Sequence, residues 1–368
     1  MTTTDGSAPS STTPRVVVVA GSGRSGTSTI AGVLKTVGLV IPPPEVPGNR
    51  TNPRGFFEPR WAVDLQTRLL RRSQVFLTDA RPAAFDLTEG VSDDGEVRAE
   101  VAAWLREHLA DGRDLVVKDP RNSWFLPLWQ RAAAEAGGEA AFLTMLRHPA
   151  EVVGSKDKYY KSTSAGETPR HAQTTRVASW LNVALFTEAT TRDAPRSFVP
   201  YNDLLDDWRS VVRRVVDELD LTTGRDVDDA AAAEVDAFVD PGLRRVRTGW
   251  DDIDCPTDVR EMAQDVWDQL GVLAASGGFD DPAQQRLDEV RERYTALYAD
   301  AEALAQSSAE DARRAGVKQG RRALLKEQRR AARQSGGAVA GSADADHAGA
   351  VRRARSAVRR VSRRLRRP

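Results

Sequence analysis

The sequence predicts an α/β fold, a P-loop-like three-layer arrangement in which helices flank a central parallel sheet, followed by a C-terminal helical extension. Three observations predict it. A β-branched run, Arg15-Val-Val-Val-Val-Ala20, leads straight into a Gly/Ser-rich turn from Gly21 to Ser28 and then into a helical pattern. Three further apolar strand candidates alternate downstream with helical patterns, as parallel strands joined by crossovers require. The composition, 40% hydrophobic and 29% charged over 368 residues, is that of a globular chain large enough for a sizeable core.

The elements follow in order. Residues 1–14 are Ser/Thr-rich and read as a disordered leader. After the first strand and its turn, residues 29–38 place Ile30, Val33, Leu34 and Val37 on one helical face. The later strand candidates are 115–118, 141–146 and 197–201, and the helices between them span roughly 96–110, 127–136 and 174–191. One helix is expected over 203–219, loops over 223–256, and helices over 260–273, 282–305 and 312–334. The resulting domain plan is a core domain at 15–275, a helical extension at 276–334, a Gly/Ala/Ser-rich linker at 335–350 and a tail at 351–368 with nine arginines and no acid.

Composition excludes several classes. The single cysteine, Cys255, rules out an intramolecular disulfide and suggests no metal cluster. The N-terminus lacks the basic-then-apolar order of a signal peptide, and no apolar run approaches 18 residues, so the expectation is a cytoplasmic enzyme. A net charge of zero hides an asymmetry: residues 312–368 hold 18 Lys/Arg against three acids, which leaves 1–311 at −15.

The stretch Gly21-Ser-Gly-Arg-Ser-Gly-Thr-Ser28 is the most informative. Its glycines permit turns that expose successive backbone N–H groups, and the helix that follows adds unpaired N–H groups and a positive dipole end. Gly23, Arg24, Ser25, Gly26, Thr27 and Ser28 are therefore the candidate phosphate-binding residues. Thr27 stands where a nucleoside-triphosphate P-loop has its lysine, and the cation lies inside the loop at Arg24, which fits a 5′-phosphate without a triphosphate tail. A second pair, Arg147 at the end of the third strand candidate and Ser155 eight residues on, can hold another phosphate. Taken alone the pair also reads as a solvated arginine and an ordinary helical serine; the combination with the loop makes the argument.

Residues 16–28, 146–155 and 199–205, with Val117-Lys-Asp-Pro-Arg121, resemble the signature regions of phosphoadenylyl-sulfate-dependent sulfotransferases, bacterial members in particular, over roughly residues 15–250. The resemblance implies a sheet of about five parallel strands and 3′-phosphoadenosine-5′-phosphosulfate (PAPS) as donor, with no metal required. It implies that Gly23 to Ser28 hold the 5′-phosphosulfate, that Arg24 neutralises the bridging oxygen as the phosphate leaves, and that Arg147 and Ser155 hold the 3′-phosphate. The chain departs from the cytosolic branch, which uses a loop lysine and a histidine base: here the cation is Arg24, and of His108, His148, His171 and His347 only His171 is open to such a role.

An acceptor hydroxyl must lose its proton as it attacks sulfur, and a carboxylate can take it. Glu58, in Asn52-Pro-Arg-Gly-Phe-Phe-Glu58, is the candidate base; its other reading is a glutamate favoured at a helix start. Lys118 is a candidate for electrostatic assistance, and with Arg121 for holding an acidic acceptor, while Asp119 pairs with one of them. Arg54 and Arg60 are weaker acceptor-site candidates, and the basic stretch 242–247 is a candidate nucleotide cover.

The expected function is sulfuryl transfer from PAPS to a hydroxyl or amine of a glycan, glycolipid or small metabolite. A small-molecule kinase or nucleotide hydrolase is the alternative, and it needs a lysine where Thr27 stands. Nothing resembles a base-reading module, so no specific nucleic-acid partner is expected. The tail at 351–368 is expected to contact an anionic membrane at its cytoplasmic face, gaining roughly 1 kcal/mol per basic residue.

Overall fold

A computed structural model of the chain describes residues 13–49, 52–159, 168–225, 231–239 and 248–336. The leader as far as residue 12, the basic stretch 242–247, the linker from 337 and the tail at 351–368 lie outside the described residues.

All four expected strands form: β1 (Arg15–Ala20), β2 (Leu115–Lys118), β3 (Glu139–Leu146) and β4 (Arg196–Pro200). They pair in parallel in the order β2-β1-β3-β4. Among the described residues the sheet stops at four strands rather than about five. The edge beside β2 carries only a single parallel bridge: Val40 N–H donates to the Asp114 carbonyl at 3.0 Å and Val116 N–H to the Val40 carbonyl at 2.7 Å. The Pro42-Pro-Pro44 run that follows Val40 has no N–H to extend that pairing.

β1 is central and buried on both faces, so its valines divide by the strand's two-residue period. Val16 and Val18 join one core with α2 (Arg60–Ser73), α3 (Ala84–Ser92), α4 (Gly95–His108) and α5 (Leu126–Ala136), centred on Leu65, Leu105 and Trp129. Val17 and Val19 join the opposite core with α1 (Thr27–Thr36), α8 (Tyr201–Asp206), α9 (Trp208–Leu219) and α10 (Ala231–Phe238). A third cluster packs α6 (Pro149–Tyr159), α7 (Pro169–Thr190), α11 (Thr257–Ala275) and the first turns of α12 (Asp281–Gly336).

Three expectations change. The helix expected over 203–219 is two helices, because Asp207 leaves helical geometry (φ −149°, ψ 80°) and its carboxylate caps α9 by accepting from Ser210 N–H at 3.1 Å. The loops expected over 223–256 contain α10, whose Val235 is fully buried. The separate helices expected over 282–305 and 312–334 are one continuous α12, with no proline between 305 and 312 to divide them. The chain forms two compact units that divide between Ala299 and Asp300. In the second unit, the described helical residues are exposed from 300 to 330. No helix among the described residues is long and apolar enough to cross a membrane.

Candidate active site

In an open parallel sheet of order 2-1-3-4, the crevice opens beyond the carboxyl ends of β1 and β3, where the crossovers leave in opposite directions. The loop after β1 and the segment after β3 are brought together there. Arg24 Nε donates to Ser155 Oγ at 3.1 Å, and Arg147 Nη1 donates to the Arg24 carbonyl at 3.0 Å. Arg147 also donates to Glu151 at 3.0 Å and lies over the Tyr201 ring at 5.1 Å. So Arg24, Arg147 and Ser155 form one cluster, with Arg147 bracing the loop from behind.

The loop has the geometry of an anion-binding nest. Arg24 (φ 80°) and Gly26 (φ 89°) are both left-handed, which turns successive N–H groups toward one side. Gly26 has a second reason to be glycine: a Cβ there would lie 2.2 Å from the Tyr201 ring. Arg24 is not a glycine and is held in this strained conformation by Ser155 and Arg147. No side chain caps the start of α1, so its first N–H groups remain for a ligand. Ser25 is 1% exposed, and its hydroxyl has no hydrogen-bond partner among the described residues. A buried hydroxyl without a partner costs about 1–3 kcal/mol, and a phosphate oxygen would remove that cost. The loop residues thus fit the phosphate group that the sequence motif implies.

A cavity of about 420 Å³ opens beside the loop, reached by Gly23, Arg24, Thr27 and Ser28. Glu58 and Lys118 meet on its wall. Lys118, 2% exposed, donates to Glu58 Oε1 at 2.6 Å, to Ser28 Oγ at 3.0 Å and to the Phe56 carbonyl at 3.1 Å. This ties the 52–58 segment to the end of β2 and to the phosphate loop. Phe57 adopts φ 56°, a rare conformation for a bulky residue, held by edge-on packing against Phe238 at 5.6 Å; the turn sets the position of Glu58. Asn52 reinforces it, donating to the Gly55 carbonyl at 2.6 Å and to Ser28 Oγ at 3.4 Å.

Lys118 and Arg121, expected to hold an acidic acceptor, are committed elsewhere. Lys118 is paired with Glu58, and Arg121 Nη1 clamps Asp119 at 2.8 and 3.0 Å. Asp119 is fully buried. Desolvation pushes its carboxyl up to about 6, opposed by Arg121 and aided by the nearby Glu58 charge. Arg54 donates to the Phe238 carbonyl and packs on that ring. His148 is wedged between Trp250 and Trp267 and hydrogen-bonded to Gln264, and His171 is exposed in the first turn of α7. Among the described residues no three His, Cys, Asp or Glu side chains converge as metal ligands do.

Sequence reasoning missed Asn122, Lys156 and Arg176. Asn122 is fully buried and donates to the carbonyls of Val19 (2.9 Å) and Val117 (2.8 Å), stitching the ends of β1 and β2 together. Lys156 and Arg176 both line the cavity. Lys156 follows Ser155 in the motif, so its position was readable; its burial was not. Arg176 lies mid-helix in α7 and carries no local signal.

A search of curated proteins finds no match to the chain. Solved structures that resemble it include the following three. One is the sulfotransferase domain from the Synechococcus PCC 7002 olefin synthase, at 17% identity over 78% of this chain and 96% of that one, with a TM-score of 0.37. Another is the sulfotransferase domain from the curacin biosynthetic pathway, at 18% identity over 70% and 98%, with a TM-score of 0.40. The third is sulfotransferase STF9 from Mycobacterium avium, at 13% identity over 73% and 78%, with a TM-score of 0.43. The family model described as "Sulfotransferase family" matches residues 14–225, the stretch that holds all four strands, the phosphate loop, Glu58, Lys118, Arg147 and Ser155. With more than half its length matched, the chain belongs to the sulfotransferase family.

Proposed function

We propose that the protein transfers the sulfuryl group of PAPS to a hydroxyl or amine of a glycan, glycolipid or small metabolite. The observation that carries the choice of donor is the phosphate loop: a buried Ser25 hydroxyl with no partner among the described residues and an uncapped helix start, with Arg24 locked to Ser155. In this reading the transferred group leaves the donor's phosphate for the acceptor oxygen or nitrogen, and the acceptor gives up one proton. Gly23, Ser25, Gly26, Thr27 and Ser28 hold the 5′-phosphosulfate through backbone N–H groups and hydroxyls. Arg24 balances the charge that grows on the departing phosphate. Arg147 and Ser155 hold the 3′-phosphate. Glu58 receives the acceptor's proton, and Lys118 fixes Glu58 at the cavity wall while adding positive charge beside Ser28.

Calorimetric titration with 3′-phosphoadenosine-5′-phosphate (PAP), run beside ATP with Mg²⁺, tests the donor. Micromolar or tighter binding of PAP, weakened at least about tenfold in Arg24→Ala, is expected. Tight ATP binding with no affinity for PAP would replace this reading with a kinase. The basic tail is proposed to contact an anionic membrane surface peripherally. Anionic liposomes should co-sediment the full chain better than a chain lacking residues 335–368; equal co-sedimentation removes the idea.

A further inference from the structure

The cavity is unevenly charged. Its described lining includes Arg24, Lys118, Lys156 and Arg176 against one carboxylate, Glu58, which Lys118 already pairs. The donor reading employs Arg24. Lys156 on α6 and Arg176 on α7 have no role in that reading, although Lys156 reaches Ser22 of the phosphate loop.

Lys156 is 7% exposed, and its described partner is a hydroxyl, Ser22 Oγ at 3.4 Å; no described carboxylate pairs with it. A buried ammonium served only by a long hydrogen bond is costly. Burial, with the Arg176 guanidinium as the lesser cause, pushes Lys156 down to about 8, and an anion seated beside it would stabilise its charged form and offset that shift. Arg176 is anchored by Asp157, which Gln173 holds in turn at 2.8 Å. Along α7, Arg176, Ser179 and Val183 recur at three- and four-residue spacing, so one helical face grades from cationic to polar to apolar over about 10 Å. Leu77, 42% exposed, adds a further apolar group to the lining, and Phe76 beside it is 72% exposed.

Resting on the sulfotransfer reading above, we infer that the acceptor is a hydroxyl compound carrying an anionic group on an apolar segment, with the anion at Lys156 and Arg176 and the apolar part against Val183 and Leu77.

The test is calorimetric titration of the full chain with 8-hydroxyoctanoate and with 1,8-octanediol, each with and without saturating PAP. The pair shares length and apolar surface and differs in the anion. The carboxylate should bind at least about tenfold more tightly than the diol. Lys156→Met with Arg176→Gln should erase that gap and leave PAP affinity within about twofold of the parent. Equal binding of the two probes to the parent protein overturns the inference while PAP binding keeps the donor reading intact. A preference that survives in the double variant overturns it too. Loss of PAP affinity in the variant reassigns both cations to the donor. If PAP fails to bind the parent protein, the donor reading falls, and the probes without nucleotide still decide the anion subsite.

Discussion

Lys118 and Lys156 line the same cavity and are buried almost equally, at 2% and 7% exposure, yet they are held in opposite ways. Lys118 ends β2 and makes three hydrogen bonds, one to the Glu58 carboxylate. Lys156 sits inside α6 beside a hydroxyl and near a second cation. The difference teaches that burial of a charge is no measure of its commitment. The paired lysine is part of the wall, while the other has a hydroxyl and no carboxylate beside it among the described residues.

The comparison breaks first at the Glu58–Lys118 pair. Lys118→Met strands a buried carboxylate and should lower stability by about 3–5 kcal/mol in denaturant unfolding, whereas Lys118→Met with Glu58→Gln should recover most of that loss. Similar losses in both variants would mean that the pair contributes little. Glu58→Gln alone keeps the shape of the wall and should reduce turnover about 10²–10⁴-fold with PAP affinity unchanged; near-normal turnover removes Glu58 as the base.

Lys156→Met orphans no described carboxylate, so unfolding at pH 7 should show a gain on the order of 1–3 kcal/mol, the reverse of the Lys118 result. The pH dependence sharpens the same contrast. With Lys156 at about 8 in the fold and an ordinary value of 10.5, the unfolded chain binds the extra proton between these values. Stability contributed by this group therefore rises with pH across that window, and Lys156→Met should flatten the rise. Asp119 gives a smaller effect of opposite slope. Its carboxyl titrates near 6 in the fold against 3.8 ordinarily, so the folded state holds the extra proton between those values and stability falls as pH rises through them. Asp119→Asn should remove that fall in acid unfolding curves.

What was legible in the sequence follows the range of the physics. β1 and β2 match their expected bounds residue for residue, because a run of valines buried on both faces announces itself locally. The phosphate loop was legible because left-handed backbone demands glycine, as at Gly26. Arg24 shows the limit of that rule: nothing local says that an arginine will be held at φ 80°.

The sequence by itself determined the strands, the glycine turn and the alternation of strands with helices, since hydrophobic period and backbone sterics act over a few residues. Only the tertiary structure decided that Lys118 would meet Glu58 across 60 positions, and Arg24 Ser155 across 131. It also decided that Lys156 and Arg176 face one cavity. Buried charges find their partners through space, and the local pattern of a chain carries no record of which distant segment will supply them.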